Sequence, residues 1–180
     1  LPDRTSVDMR LSHLREILRR EADPPAVDAA EGWSPYLASR FLATEGLEAR
    51  NWRETGDRWT AHAPAMDVGK TRFSAFFEYF VEGDEHVARR LRLVGYVLPA
   101  EDTTLYRERF VSLALALGAT AIGEDACAKI AVPLQAHSAF ELMVQTRFIA
   151  FRIDTEGVAN GASIRVVFNI DYRSEYDLPP

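Results

Sequence analysis

Three clusters of turn-forming residues, Thr55-Gly56-Asp57, Gly83-Asp84-Glu85 and Asn160-Gly161, separate short runs with the character of extended chain. Runs joined by so few residues pair as antiparallel neighbours, because a parallel pair needs a crossover of a dozen or more residues. "NWRETGDRWTAH" reads as two such runs around the first turn. The segment from Thr71 to Leu98 reads as a longer hairpin around the second. Beyond Phe140 alternation returns. Ile149, Phe151 and Ile153 share one face, and after the third turn Ile164, Val166, Phe168 and Ile170 share the matching one.

Helical spacing appears between these runs. Val7, Leu11, Leu14 and Leu18 line one face of a helix expected over 6–21, which Pro24-Pro25 terminates. Ser34-Pro35 is a cap followed by proline at the first helical position, predicting a helix over 34–46 with Leu37, Phe41 and Leu42 inward. Asp102 or Thr103 caps a third helix over 103–117. Its inward residues are Leu105, Phe110, Leu113 and Leu117, and Gly118 is placed to end it. A short helix is expected around 124–130, with Pro133 interrupting the residues after it. The polar tail "SEYDLPP" is expected to be loose.

The expected fold is therefore α+β, a single domain over 1–180. Strands over about 51–98 form a meander, a hairpin over 140–173 completes an antiparallel sheet, and helices pack mainly on one face.

The aromatic-rich stretch "VGKTRFSAFFEYFVE" can be read as helix or strand. A three-residue turn at 83–85 favours strand. It sets Val81, Tyr79, Phe77, Ala75 and Phe73 against Val87, Arg89, Leu91, Leu93 and Gly95, a mostly apolar layer. On the other face Glu82 meets His86, Glu78 meets Arg90 and Phe76 meets Arg92. Phe76 and Phe80 then lie on the more polar face, with the third helix as a cover or else exposed as a binding patch rimmed by Arg90 and Arg92.

Gly69-Lys70-Thr71 ends like a phosphate-binding loop, but the first glycine of that motif is replaced by Pro64, which has no amide hydrogen. We expect no nucleotide there. His13, His62, His86 and His137 match no zinc spacing, and the single cysteine cannot build a thiolate cage, so neither metal nor cofactor is expected. Cys127 lies between alanines, a setting for a small buried residue rather than a nucleophile paired with His137. Arg90 and Arg92 can grip an anion or pair with Glu78 and Glu82 across the ladder. Trp33, Trp52 and Trp59 are expected in the core.

At 180 residues with a net charge of -6, the chain repels phosphate backbones, and nucleic acid is not an expected partner. Nineteen arginines against Lys70 and Lys129 suggest a bacterial source. The chain begins at Leu1 without an initiator Met, from which we expect a removed signal peptide or anchor and a periplasmic or envelope-exposed domain; trimming of a cytosolic leader is the other reading. No apolar run is long enough to span a bilayer. The functional expectation is a non-enzymatic module that binds a partner protein or small ligand through Phe76, Phe80, Arg90 and Arg92, with no catalytic residue assigned. The alternative is a small hydrolase or transferase using His62 or His86 with nearby carboxylates.

Overall fold

The computed structural model describes residues 32–72, 74–99, 101–158 and 161–172. The helix expected over 6–21, Phe73, Asn160 and the terminal tail lie outside them. The architecture is α+β. Among the described residues eight antiparallel strands form one sheet: β1 (Arg50–Thr55), β2 (Arg58–His62), β3 (Met66–Asp67), β4 (Ala75–Gly83), β5 (Ala88–Val97), β6 (Phe140–Val144), β7 (Arg147–Val158) and β8 (Gly161–Tyr172). Their order is β1-β2-β4-β5-β8-β7-β6, with the short β3 paired to β4 beside β2. Among the described residues three α-helices accompany them: α1 (Pro35–Arg40), α2 (Thr103–Ile122) and α3 (Glu124–Gln135).

The aromatic-rich stretch is a strand. Ala75, Phe77, Tyr79 and Val81 of β4 point into the core with Leu91, Leu93 and Val97 of β5, all buried. Helix α2 lays Tyr106, Phe110, Leu113, Ala114 and Leu117 on this layer. Phe110 lies at its centre, with ring centroids 6.1 Å from Phe77 and 6.0 Å from Phe151. Each large apolar side chain hidden this way contributes about 1.5–3 kcal/mol relative to exposure. Tyr79 Oη donates to the Ala38 carbonyl at 2.7 Å, fastening α1 to the sheet.

The register of the β4–β5 hairpin differs from the expected one. Glu82 faces Arg90, Phe80 faces Arg92, Glu78 faces Val94 and Phe76 faces Tyr96. The cause is the loop. Asp84 carboxylate accepts from the backbone amides of His86 and Val87 at 3.0 and 2.9 Å, and the Asp84 amide donates to the Val87 carbonyl. These bonds make a longer connection than three residues, and the ladder shifts between Glu82 and Gly83. From Ala75 to Glu82 the residues of β4 meet partners four positions further along β5 than expected. An even shift keeps every side chain on its predicted face.

Helix α2 does not stop at Gly118. It runs to Ile122, and Gly123, with φ of 87°, ends it. Gly118 serves packing instead, since a Cβ there would lie 3.0 Å from Cys127 Sγ on α3. Asp102 is the cap, accepting from the amides of Thr104 and Leu105. Leu105 is 66% exposed rather than inward, because Tyr106, one residue on, begins the buried stripe. The helix expected over 34–46 is shorter, α1 followed by a single 3-10 turn over Ala43–Glu45. Within it Leu42 is buried, but Leu37 is 46% exposed and Ala38 takes the inward place. Helix α3 extends past Pro133 to Gln135.

The hairpin expected over 140–173 is three strands. A turn at Gln145 and Thr146 joins β6 to β7, and Gln145 adopts φ of 54° without being glycine or asparagine. No helix among the described residues is long and apolar enough to cross a membrane.

Candidate functional site

Helices α1 and α2 pack on one face of the sheet. The opposite face carries His62 from β2, Phe76, Glu78, Phe80 and Glu82 from β4, Arg90 and Arg92 from β5, and Asn169 and Asp171 from β8. The structure therefore brings Phe76, Phe80, Arg90 and Arg92 onto one surface. Helix α2 does not cover it, because its buried residues pack on the other face of β4. Both phenylalanines are half-buried. Phe76 lies 5.4 Å from the Tyr96 ring. Phe80 stacks on His62 at 4.4 Å, with the Arg92 guanidinium carbon 5.0 Å from its ring centre.

The arginines are engaged by carboxylates. Glu82, only 7% exposed, is ion-paired with Arg58 at 3.1 Å, with Arg90 at 3.6 Å and closely with Arg92. Arg90 also pairs with Asp171 at 2.8 Å, and this bond raises its pKa further above the usual guanidinium value. Thus Glu82 is the partner of Arg90 and Arg92, while Glu78 pairs with His62 instead, Oε1 to Nε2 at 3.3 Å. A charge-paired surface of this kind offers an incoming anion less than three free arginines would.

Gly69-Lys70-Thr71 lies between β3 and β4, so the motif leads into a strand rather than a helix. Its amides are occupied. Lys70 N–H donates to Glu101 Oε1 at 2.8 Å, Thr71 N–H donates to Ser74 Oγ at 3.1 Å, and the Ser74 hydroxyl donates to Glu101. The Ser74 hydroxyl, ahead of the Lys70 amide and ammonium and the Thr71 amide, holds the Glu101 carboxyl below its usual range. The loop's amides are thus committed to a carboxylate and a hydroxyl oxygen of this chain.

A cleft lies elsewhere, where α1 meets β1 and the β4–β5 loop. It measures about 700 Å³ and is lined by Pro35, Tyr36, Arg40, Trp52, His86 and Val87 among others. Local structure explains each wall. Pro35 starts α1 and turns Tyr36 and Arg40 to the same side, one turn apart, where the guanidinium bonds the Tyr36 hydroxyl and lies 5.2 Å from its ring centre. Trp52 follows Asn51, whose φ is 61°, at a register break in β1. Its Nε1 donates to the Glu85 carbonyl at 3.1 Å, which fixes the indole against the loop. Arg40 and Glu48 face each other at 3.8 Å.

The tryptophans therefore divide. Trp33 is buried, with Nε1 donating to the Ala121 carbonyl at 3.0 Å and the Arg147 guanidinium 4.8 Å from its ring centre. Trp52 lines the cleft, and Trp59 sits beside it at 6.4 Å. Sequence reasoning misses Tyr36 and Arg40; the signal that could have found them is their spacing of four behind a helix cap. His86 borders the cleft but its side chain is 82% exposed, and its carboxylate neighbour Glu85 is 3.9 Å away. Among the described residues no group of three or more His, Cys, Asp or Glu is placed to hold a metal.

Cys127 is buried between α2 and α3, with Sγ 3.3 Å from the Leu115 carbonyl. Burial pushes its thiol pKa up, opposed by the Ala119 backbone. His137 sits at the other end of α3, its pKa lowered by burial and by Arg107. We expect a bulky thiol reagent to react slowly with the native protein at neutral pH and rapidly after denaturation. Fast native labelling would overturn the assignment of Cys127 as a packing residue.

The chain matches no family model, no curated protein and no solved structure.

Proposed function

We propose that this chain is a non-enzymatic binding module, and that its ligand site is the cleft between α1 and β1. The observation that supports this reading is a concavity of about 700 Å³ with Tyr36 and Trp52 in its walls and Arg40 beside them. Ligand sites of small organic molecules typically occupy about 300–1,000 Å³, mostly apolar with a few fixed polar groups. The lining follows that recipe. Pro35, Ala49 and Val87 supply apolar wall, and Trp52 is held by its bond to the Glu85 carbonyl, so little order has to be gained on binding. A ring-bearing ligand matches the two aromatic walls, with the Arg40 guanidinium, shared between Tyr36 and Glu48, as a polar group at their edge. A bacterial source, favoured by the arginine bias, belongs to the same proposal, as does an envelope-exposed setting.

The test uses anilinonaphthalene sulfonate, an aromatic anion whose emission rises in apolar sites. The expected result is saturable, blue-shifted fluorescence that weakens about tenfold in affinity with Trp52→Ala, on the scale of a lost aromatic anchor. Tyr36→Ala, at a more exposed position, guards against a folding defect and is expected to act in the same direction. Emission unchanged by both substitutions would place the dye, and the site, elsewhere.

The enzyme alternative draws support from one contact, His62 Nε2 to Glu78 Oε1 at 3.3 Å. That pair lies on the sheet face opposite α1 and α2, stacked with Phe80, and does not line the cleft.

A further inference from the structure

We propose that β6 is a self-association edge, pairing antiparallel with β6 of a second copy of this chain. The two ends of the sheet differ in how they meet solvent. On β1 the register breaks between Arg50 and Arg53, Asn51 takes a left-handed conformation, and Arg50, Arg53 and Glu54 are exposed along the strand. Bulges and charges of this kind obstruct the addition of another strand.

The β6 edge has no such break, and its one charge, Glu141, is paired with Arg152 of β7. Phe140–Val144 pairs with β7 in unbroken register, and among the described residues no strand lies on its other side. Phe140, Leu142 and Val144 face the core and pack against it, yet remain only half-buried among the described residues. Unpaired backbone groups beside an apolar row form a template for strand pairing.

The sequence of β6 suits its own copy. An antiparallel pair with its two-fold axis at Leu142 sets Leu142 against Leu142, Phe140 against Val144, and Glu141 against Met143 of the second copy. No like charges meet, and each Glu141 keeps its ion pair with Arg152. Such an isologous contact closes on itself as a dimer. It extends the sheet across the axis and leaves the helices of both copies on the same side. Five residues a side bury less than a standard stable interface, so the dimer depends on concentration.

Sedimentation velocity of the full chain, from low micromolar to near-millimolar concentration, tests this. The expected mass rises from 20.2 kDa toward twice that value. Met143 is 40% exposed on the outer face, so its charge can be changed with the fold retained, as circular dichroism would verify. Met143→Glu places a carboxylate against Glu141 at each of the two symmetric positions and is expected to weaken dimerisation about tenfold. Met143→Lys places opposite charges there and is expected to preserve or strengthen it. A constant 20.2 kDa at every concentration would overturn the proposal, as would a dimer indifferent to both substitutions.

Discussion

Replacing Phe110 with alanine is expected to lower unfolding free energy by about 3–5 kcal/mol, the usual cost of emptying a buried aromatic position. Phe110 is fully buried and bridges the two halves of the sheet, touching Phe77 on β4 and Phe151 on β7. The cavity left would open beneath α2 where helix and sheet meet, and the fully buried Leu113 and Leu117 beside it cannot collapse far to fill it. In a chain of this size such a loss corresponds to a fall in Tm of roughly 10 °C. Urea unfolding of the two proteins checks it. A loss below about 1.5 kcal/mol would mean that α2 relaxes onto the sheet, or that the layer is less tightly packed than its burial indicates.

The second large effect is expected at Glu82. Replacing it with methionine leaves Arg58 and Arg92 without the carboxylate they share and reduces Arg90 to its bond with Asp171. Removing one partner of a mostly buried ionic cluster costs about 3–5 kcal/mol; because the arginines are a third to a half exposed, the expected loss here is about 3 kcal/mol. The double variant Glu82→Met with Arg92→Met removes the closest orphaned charge and is expected to recover about half of that loss. If the single variant is as stable as the parent, the cluster adds nothing net. If the double variant is no better than the single, Arg92 is solvated well enough to need no partner.

The sheet was legible because its strands announce themselves locally. Alternation and the turn residues at 55–57 and 83–85 fix which elements are strands, and an even register error leaves every β4 and β5 side chain on its predicted face. What escaped depends on tertiary context. Gly118 has the sequence signature of a helix stop, but it is an interior residue whose missing side chain admits Cys127. Gln145 carries no mark of a tight turn, so β6 and β7 read as one run. The closing role of Asp84 lengthens a loop that composition suggests is short.

The candidate site was less legible than the fold. Phe76, Phe80, Arg90 and Arg92 do share a face, as alternation requires, but the compensation of the arginines depends on Glu82, Arg58 and Asp171 converging from three other strands. The cleft joins Tyr36 and Trp52, 16 positions apart in sequence, with a loop another 33 residues beyond Trp52. No period in the chain records that meeting. The loop of Gly69-Lys70-Thr71 shows the opposite case, a motif with local resemblance whose Lys70 amide is taken by Glu101 from a distant segment.

The placement of β8 bears on how the molecule is made. It enters the sheet between β5 and β7, so Arg90 finds Asp171 across 81 positions of chain. Contacts this distant in sequence must overcome a large loop-closure entropy before they stabilise anything, which slows folding. During vectorial synthesis β5 is finished while the strand that flanks it is still about 60 residues from existing, or several seconds at ordinary translation rates. Through that interval the inner strand Ala88–Val97, with Leu91, Leu93, Val94 and Val97, is a bare apolar edge. The nascent chain is therefore most exposed to misassociation before β8 emerges, and a holdase that masks β5 would protect it most.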